Sequence, residues 1–314
     1  MKILMISGSG WLGHNIVKGL VLEGHDVQLI SRGKTERFHV PASVQRILGD
    51  RTQPNFDRVF RGLHPDVVMD VIPADVEVTR KILEAFAGQV SQYIHCSSTG
   101  GYAPLRRVPG REDDPYLAPE QFGTGFAAKR AVDELALQYH AQGRIPVTVI
   151  RPTNIIGAGL LPIDIWGARN VRFLQRVADE LPITIPNDGR ALLQPGHVED
   201  LAEVFVRAVG VPEALGQVYI ASCSYAVTLE EYVRVVANCL GTTPPIEFMP
   251  AEELIATYGD TGRLDVTGLR FLCEHMCFSI AKARSQLGYE PRVTAEDGIE
   301  DAVRWAVDTG RVKK

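Results

Sequence analysis

Three glycines near the start of the chain have the spacing of a phosphate-binding turn. Gly8, Gly10 and Gly13 follow the pattern G-x-G-x-x-G, after an apolar run that suits a buried strand and before apolar residues at helical spacing. Glycines let backbone N–H groups approach an anion, and the N-terminus of a helix carries partial positive charge. The turn therefore predicts a cradle for the diphosphate of a dinucleotide, in which Trp11 and Leu12 also contact the cofactor.

The end of the second predicted strand bears on which dinucleotide is bound. In NAD-binding versions of this fold, an acidic residue there accepts hydrogen bonds from the adenosine ribose hydroxyls. This chain instead carries Arg32, with Lys34 beside it. A cation at this place suits the extra 2′-phosphate of NADP, so the sequence predicts NADP, with NAD as the alternative. The other interpretation of Arg32 is a solvated arginine after a strand.

Five further residues are predicted to lie along the cofactor. Asp50 and Arg51 follow the third strand, where an acidic residue can reach the adenine amino group, although a plain turn explains them nearly as well. Ile72 and Pro73 follow the fourth strand, where the chain passes close to the ribose or nicotinamide half. Pro152, which follows the sixth strand, completes this cofactor set.

The elements that position these residues alternate between strand and helix. Helices are predicted after the first strand, over 74–86 and within 121–142. The alternation implies right-handed crossovers and an α/β fold with a doubly wound parallel sheet, the Rossmann architecture. Six apolar runs predict its strands: Lys2 to Ile6, Asp26 to Ile30, Val44 to Leu48, Asp66 to Val71, Val90 to Cys96 and Pro146 to Ile150.

The second half of the chain has a different character. Residues 1–157 are predicted to form the dinucleotide-binding domain, with returning segments near 190–222, and residues 158–314 are mainly a smaller substrate-binding lobe. A strand over Gln217 to Ala221 is expected to rejoin the main sheet. Substrate is expected in the cleft between the lobes. Helices of the second half are predicted over 171–181, 196–210, 228–240, 279–287 and 294–308.

Composition and charge limit the classes of protein to consider. The chain has 314 residues, of which 45% are hydrophobic and 23% charged, as is usual for a globular protein with a substantial core. A formal net charge of −5 argues against a nucleic-acid partner. No apolar window of about 18 residues predicts a membrane span, and the N-terminus does not resemble a secretory signal. A cytoplasmic protein without a membrane partner is therefore expected.

The cysteines do not predict a metal site. Cys273 and Cys277 flank His275, but no second cluster stands at ligand spacing. Their odd number and the absence of a C-x-x-C pair fit reduced thiols. The five positions are Cys96, Cys223, Cys239, Cys273 and Cys277.

Six motifs, in chain order, give the sequence a resemblance to a known family. They are SGSGWLG, GDR, CSSTGGYA, RPTNIIG, GHVEDLA and FSIAKARSQLGYEP. The chain resembles the extended short-chain dehydrogenase/reductases, also called the NAD(P)-dependent epimerase/dehydratase family. Within it, SGSGWLG, SRGK and IPNDGRALLQPGHVEDLA look most like the atypical branch that includes chloroplast stem-loop-binding proteins and their bacterial relatives. The resemblance also suggests a homodimer packed through the two long helices after the fourth and fifth strands.

The catalytic residues that the resemblance implies are a Ser or Thr, a Tyr and a Lys. The tyrosine exchanges a proton with the substrate while nicotinamide exchanges hydride. Ser98 falls at the Ser/Thr position, and Lys129 falls at the lysine, which also holds the nicotinamide ribose. The tyrosine should stand four residues before the lysine, where this chain has Gly125. The candidate substitutes are Tyr102, Tyr116 and Lys129 itself, and packing is the other explanation of Tyr102.

Another departure from the family concerns the substrate. Members that act on nucleotide-sugars often carry an arginine four residues before the histidine of the HVxD segment, and this chain has Leu193 there. Arg190 and Arg270 stay candidates for binding an anionic group. A less charged substrate is suggested by apolar residues expected at the lobe interface, each of which ordinary core packing also explains: Leu160, Leu161, Ile163, Ile165 and Trp166.

Two functions from different classes follow. The leading one is an NADP(H)-preferring oxidoreductase or epimerase that acts on a hydroxyl or carbonyl of a small molecule, sugar-like or a natural product. The second is a catalytically degenerate protein that keeps the dinucleotide fold as a sensor, or binds RNA as the stem-loop-binding relatives do. Gly125 motivates this second function, whereas the acidic charge speaks against RNA.

Overall fold

The computed structural model describes residues 1–33, 38–73 and 75–313, apart from the side chain of Thr124. Its strands are β1 (Lys2–Ile6), β2 (Asp26–Ser31), β3 (Gln45–Leu48), β4 (Val67–Asp70), β5 (Gln92–Cys96), β6 (Val147–Pro152), β7 (Asn154–Ile156), β8 (Ile183–Pro186), β9 (Leu192–Leu193), β10 (Pro195–His197), β11 (Gln217–Ala221), β12 (Val227–Thr228) and β13 (Ile246–Met249). Its helices are α1 (Trp11–Leu22), α2 (Val76–Phe86), α3 (Thr124–Ala141), α4 (Val171–Ala178), α5 (Val198–Arg207), α6 (Leu229–Leu240), α7 (Ala251–Tyr258), α8 (Val266–Leu272), α9 (Ala281–Leu287) and α10 (Ala295–Asp308).

Seven parallel strands form the central sheet, in the order β11-β6-β5-β4-β1-β2-β3. Every residue of β4, β5 and β6 is buried, which is the pattern of a parallel sheet covered on both faces. The chain first fills one side of the sheet with β2 and β3, and then crosses to the other side of β1 with β4. This reversal leaves a crevice at the carboxyl ends of β1 and β4, where such sheets bind ligands.

The predicted fold class is confirmed, and so is the return of Gln217–Ala221 to the main sheet, where β11 pairs with β6. The six predicted strands are present, each with ends shifted by at most two residues. Helix α3 lies within the predicted span of 121–142 and begins at Thr124, because Glu120–Phe122 form a separate 3-10 turn that ends at Gly123 with a φ of 110°. Glycine adopts this backbone conformation without the strain that a side chain would bring.

The smaller lobe has a hydrophobic core of its own, to which α4, α6 and α10 contribute Leu174, Val236 and Val303. Residues 276–289 do not pack there. Phe278 and Tyr289 instead join the core on the central sheet. The chain therefore returns to the first domain a second time, after β11, and α9 packs near that strand.

Two findings bear on possible environments and ligands. None of the described helices is long and apolar enough to cross a membrane. Across residues 1–33, 38–73 and 75–313, no group of three or more His, Cys, Asp or Glu side chains is arranged to hold a metal ion.

Candidate cofactor and active site

The glycine turn joins β1 to α1 at the crevice. A Cβ on Gly13 would lie 2.6 Å from the Cα of Gly8, so the first turn of the helix packs directly on the backbone of the loop. Gly10 caps the N-terminus of α1 in an extended conformation, and a Cβ there would meet no described atom within 4 Å. Gly13 therefore serves packing, whereas Gly10 leaves open the space in which a diphosphate can approach backbone N–H groups.

A cavity of about 390 Å³ opens beside this turn, at the carboxyl ends of β1 and β2. Six residues of the predicted cofactor set line it: Gly10, Trp11, Arg32, Asp50, Arg51 and Ile72. The structure thus fits a dinucleotide at the predicted place, because Gly10 of the anion cradle also lines this cavity. The predicted residue Lys34 lies outside the described part of the chain.

The other members of the predicted cofactor set lie behind the cavity surface. Gly8 and Gly13 form the turn itself, whereas Pro73 and Pro152 are buried after β4 and at the end of β6. The side chain of Leu12 is 8% exposed and packs in the core. Only its backbone N–H is therefore placed to contact a diphosphate.

Arg51 is held by an ion pair at the floor of the crevice. Its two terminal nitrogens donate to the two carboxylate oxygens of Asp70, at 2.9 and 3.0 Å, and Asp70 is fully buried. Burial is the largest influence and acts to lower the pKa of Arg51, but the charge and hydrogen bonds of Asp70, with smaller effects of Tyr93 and Asp75, together raise this pKa above its ordinary value. Arg51 therefore reaches the cavity as a fixed cation whose charge is already balanced.

Arg32 has a different environment. It is exposed at the end of β2 and borders the cavity. Within the described part of the chain, no carboxylate forms an ion pair with it. Its charge is therefore available to a ligand in the cavity, as the sequence-based prediction of NADP requires.

One face of α3 carries the second half of the site. Gly125, Lys129 and Asp133 stand four residues apart, so they lie along the same side of the helix. Asp133 is buried against β5, and Lys129 lies near enough to Cys96 for its charge to act on that thiol. Burial raises the pKa of Cys96 to about 12, and Lys129 opposes this rise. Lys129 therefore lies within electrostatic reach of Cys96, the last residue of β5, from which the chain continues to Ser98.

Ser98 begins the short 3-10 turn over Thr99–Tyr102. Its Oγ accepts a hydrogen bond from the N–H of Gly100 at 3.2 Å, which leaves the hydroxyl hydrogen to donate elsewhere. Lys129 forms no hydrogen bond or ion pair to any described residue. Ser98 thus presents a hydroxyl donor just after β5, and Lys129 carries an ammonium group on α3.

Asp133 is the centre of a buried polar network below Lys129. His95 Nε2 donates to its Oδ1 at 2.9 Å, and Ser97 Oγ donates to its Oδ2 at 2.8 Å. Arg151 donates to Oδ2 from Nε at 3.1 Å and from Nη2 at 2.9 Å. Sequence analysis missed this network because its members come from β5, α3 and β6.

The two candidate tyrosines belong to the same network. Tyr102 is 2% exposed, and its hydroxyl accepts a bond of 2.5 Å from Arg151 and donates to the carbonyl of Glu112 at 3.2 Å. Tyr116 donates to the carbonyl of Ser98 at 2.8 Å, and the guanidinium of Arg151 lies 3.8 Å from its ring centroid. Burial raises the pKa of each tyrosine to about 12. This geometry corrects the catalytic prediction for Tyr102, which has a structural position.

Comparison with known proteins places this arrangement in a family. Residues 3–221 match the model of one protein family. The chain belongs to the NAD dependent epimerase/dehydratase family. The resemblance predicted from the motifs, including its closeness to the stem-loop-binding branch, is confirmed.

Relatives within the family carry names that describe different activities. The chain is 28% identical to the chloroplast stem-loop binding protein of 41 kDa b from Arabidopsis thaliana, over 99% of this chain and 80% of the relative. It is 25% identical to 4-hydroxy-2-methyl-3-oxo-4-farnesyl-3,4-dihydroquinoline-1-oxide ketoreductase from Stigmatella aurantiaca, over 99% of this chain and 98% of the relative.

A solved structure confirms the fold. UDP-glucuronic acid 4-epimerase from Bacillus cereus, in complex with UDP-glucuronic acid and NAD, superimposes with a TM-score of 0.76. The match covers 98% of this chain and 100% of that chain at 19% identity. Family members are thus NAD-dependent oxidoreductases and epimerases, and this chain has their architecture throughout.

The residues predicted to contact substrate are only partly brought together. Arg190 is exposed, and Arg270 forms an ion pair with Glu252 at 3.6 Å. Ile165 and Trp166 line a second cavity, of about 550 Å³, in the smaller lobe. Leu161 and Ile163 pack against the core of that lobe.

Arg169 is a cation that sequence analysis did not single out. It donates to the Oδ1 of Asn154 at 3.1 Å and to the carbonyls of Leu161 and Ile155 at 2.7 and 3.0 Å. Asn154 opens β7, two residues after the end of β6. Arg169 therefore lies close to the carboxyl edge of the main sheet. Its only signal in the sequence is its place in the segment that follows RPTNIIG.

Proposed function

We propose that the protein is an NAD(P)-dependent oxidoreductase or epimerase that acts on a hydroxyl or carbonyl of a small molecule, and that its site favours carbonyl reduction. The observation that carries this proposal is the position of Lys129. It lies one helical turn from Gly125 on α3, within electrostatic reach of Cys96 at the end of β5, and its ammonium group has no described partner. An ammonium group donates a proton to the oxygen that gains charge as a carbonyl is reduced.

The glycine turn, Ser98 and Lys129 have separate roles in the proposed reduction. The glycine turn holds the diphosphate, and a bound nicotinamide cofactor supplies hydride. Ser98 donates its hydroxyl hydrogen to the carbonyl oxygen of the substrate and orients it. Lys129 stabilises the developing charge on that oxygen and gives it a proton.

The high pKa values of Tyr102 and Tyr116 favour carbonyl reduction over epimerisation as the function of this site. Epimerisation that begins by oxidising a hydroxyl needs a base to remove its proton. Tyr102 and Tyr116, with pKa values of about 12, stay protonated near neutral pH and do not supply that base. Gly125 has no side chain to replace them. Proton donation by Lys129 is the step that the described groups perform.

Replacing the ammonium group of Lys129 tests this assignment. In protein loaded with NADPH and mixed with a panel of carbonyl compounds, we expect Lys129→Met to slow cofactor oxidation by about 10²-fold or more, the usual contribution of a positioned acid. The measurement is the single-turnover rate of loss of nicotinamide absorbance. Lys18→Met, which changes an exposed lysine on α1, serves as the charge-matched control and keeps the wild-type rate. Equal rates for both variants would remove Lys129 from the mechanism.

Gly125→Tyr provides the complementary variant. A Cβ at Gly125 meets no described atom within 4 Å, so the new side chain starts from open space. We expect the restored Tyr-x-x-x-Lys pattern to raise the rate of hydroxyl oxidation with NADP⁺, because a base becomes available. A variant that folds and oxidises no faster than wild type would show that the missing tyrosine side chain at position 125 does not limit hydroxyl oxidation.

Arg32 decides the cofactor preference in this proposal. Since it borders the cavity with its charge unbalanced by any described carboxylate, we expect Arg32→Ser to weaken NADPH binding by about tenfold or more, the loss of one or two charge-assisted hydrogen bonds. Affinity for NADH should change by less than about threefold. Fluorescence titration of both cofactors measures the two constants. Equal losses of affinity for NADPH and NADH would show that Arg32 does not contact the 2′-phosphate.

A non-catalytic protein is the second candidate. It is motivated by Gly125 and by the similarity over 99% of the chain to a stem-loop binding protein. A salt titration of binding to a stem-loop RNA distinguishes the RNA-binding function from the reductase function. Binding through contacts to RNA phosphates weakens steeply as ionic strength rises. Salt-dependent RNA binding together with no cofactor oxidation on any carbonyl would favour this second function.

A further inference from the structure

The side chain of Trp11 joins the cofactor turn to a distant loop. Trp11 is the first residue of α1, directly after the capping Gly10, and it lines the cofactor cavity. Its indole Nε1 donates to the carbonyl of Ala158 at 2.7 Å. Ala158 lies in the loop over residues 157–159, which follows β7 and leads into the smaller lobe. One hydrogen bond therefore connects the glycine turn with the start of the second half of the chain.

The same loop is held from its other side by α10. The N–H of Ala158 donates to Oδ2 of Asp301 at 2.6 Å, and Nε2 of His197 donates to the same oxygen at 3.2 Å. Ala158 is itself exposed, so these bonds and not burial fix its backbone. Its carbonyl thus points toward α1 and its N–H toward α10.

Two glycines allow the loop to lie this close to its neighbours. Gly157 and Gly159 have φ values of 129° and 104°, which a residue with a side chain rarely adopts. A Cβ on Gly157 would lie 2.8 Å from Nε2 of His197, and a Cβ on Gly159 would lie 2.9 Å from Nε1 of Trp11. The loop is therefore shaped to fit between His197 and Trp11.

The loop determines where the next segment begins. After residue 159 the chain continues to Leu161, whose carbonyl is bound by Arg169, and then to Ile165 and Trp166 at the cavity of the smaller lobe. Because Trp11 borders the cofactor cavity, its indole is a direct connection between that cavity and this segment.

We propose that Trp11 is a positioning residue that couples cofactor binding to the position of the loop over residues 157–159. A diphosphate in the cradle binds backbone N–H groups at the start of α1, where Trp11 stands. Fixing the backbone of Trp11 restricts its indole and favours the bond to Ala158, and by reciprocity that bond favours cofactor binding. The coupling rests on the dinucleotide site proposed above and requires no particular chemical step.

Hydrogen exchange of the backbone amides over residues 157–161 tests the coupling. Mass spectrometry gives the exchange rate with and without saturating NADPH in wild type, Trp11→Phe and Trp166→Phe. Trp166 is the matched control, because its Nε1 donates to the carbonyl of Thr184 at 2.8 Å, in the smaller lobe. We expect NADPH to slow exchange by about threefold or more in wild type and Trp166→Phe, which is within the contribution of one hydrogen bond. Trp11→Phe should exchange faster than wild type without NADPH, and NADPH should not slow it.

Two results would overturn the coupling: no slowing in wild type that binds NADPH, or equal slowing in Trp11→Phe. If Trp11→Phe does not bind NADPH, Asp301→Ala decides, because it removes the bond to α10 and keeps the bond from Trp11. Slower exchange with NADPH in Asp301→Ala supports the coupling, and unchanged exchange contradicts it.

NADPH affinity is measured on the same samples. Failure of wild type to bind NADPH would remove both the proposed cofactor site and the coupling. Binding without slower exchange would remove the coupling alone, so the two failures are distinguishable.

Discussion

Gly13→Ala is expected to lose both stability and cofactor binding. The added Cβ would lie 2.6 Å from the Cα of Gly8 and 2.8 Å from its carbonyl carbon and oxygen. These are backbone atoms, and Gly8 is itself closely packed, since a Cβ on it would lie within 3.3 Å of the side chains of Leu29, Met5 and Val17. Overpacking of this kind costs about 1–3 kcal/mol, and here it also pushes α1 away from the turn that cradles the diphosphate. Chemical unfolding and NADPH titration measure the two effects.

Gly10→Ala is the matched control, with the same change three residues earlier in the turn. Its Cβ meets no described atom within 4 Å, and the backbone there is extended, so we expect a loss of stability of no more than about 1 kcal/mol. NADPH binding should nevertheless fall by about tenfold or more, because the methyl group occupies the space through which the diphosphate reaches the backbone. Wild-type affinity in Gly10→Ala would place the diphosphate elsewhere. Wild-type stability in Gly13→Ala would show that loop and helix do not pack as described.

Arg151→Met is expected to destabilise the fold by about 3–5 kcal/mol, the usual cost of removing one partner from a buried ion pair. Arg151 donates to Asp133 at 2.9 and 3.1 Å, and both residues are at most 5% exposed. Without Arg151, Asp133 keeps its bonds to His95 and Ser97 but lacks the opposing charge. Chemical unfolding of wild type, Arg151→Met, Asp133→Asn and the double variant measures the coupling. Strictly additive losses would show that the pair is not coupled.

The ion pair between Arg151 and Asp133 makes the stability of the fold depend on pH, with stability lost in acid. Burial acts to raise the pKa of Asp133, but the bond from His95 and the charge of Arg151 outweigh it, so this pKa lies below its ordinary value of 3.8. The folded state therefore gains stability that is fully present above pH 3.8 and is lost as pH falls through the folded pKa. Asp133→Asn lacks this carboxyl group. We expect the stability difference between wild type and Asp133→Asn to shrink in acid, and a constant difference would contradict the shift.

The strands of the sheet and the glycine turn could be predicted because local sequence patterns specify both. Buried parallel strands are continuous apolar runs, and the glycine spacing recurs wherever a backbone must approach a diphosphate. The polar network could not be found this way, since Asp133 and Arg151 come from a helix and a strand 18 residues apart. Tyr102 was placed toward the cleft by its position after Ser98, but the 3-10 turn over Thr99–Tyr102 carries it inward.

The smaller lobe shows another limit of local patterns. Strand β13 and helices α7 and α8 were not predicted, because each spans eight residues or fewer and buries few side chains. Arg169 was passed over for a similar reason. The environment of Arg169 depends on which acceptors surround its guanidinium and on the absence of a described carboxylate. The spacing of residues along the sequence predicts neither.

The central claim is that this chain holds a nicotinamide dinucleotide at the glycine turn and uses Lys129 to complete carbonyl reduction. The most direct test is single-turnover oxidation of bound NADPH across a panel of carbonyl compounds, some carrying a carboxylate or phosphate, with wild type, Gly10→Ala and Lys129→Met side by side. The account predicts oxidation by wild type on at least one compound, weak cofactor binding by Gly10→Ala, and normal binding with slow oxidation by Lys129→Met. Tight NADPH binding by wild type with no oxidation on any compound would contradict it.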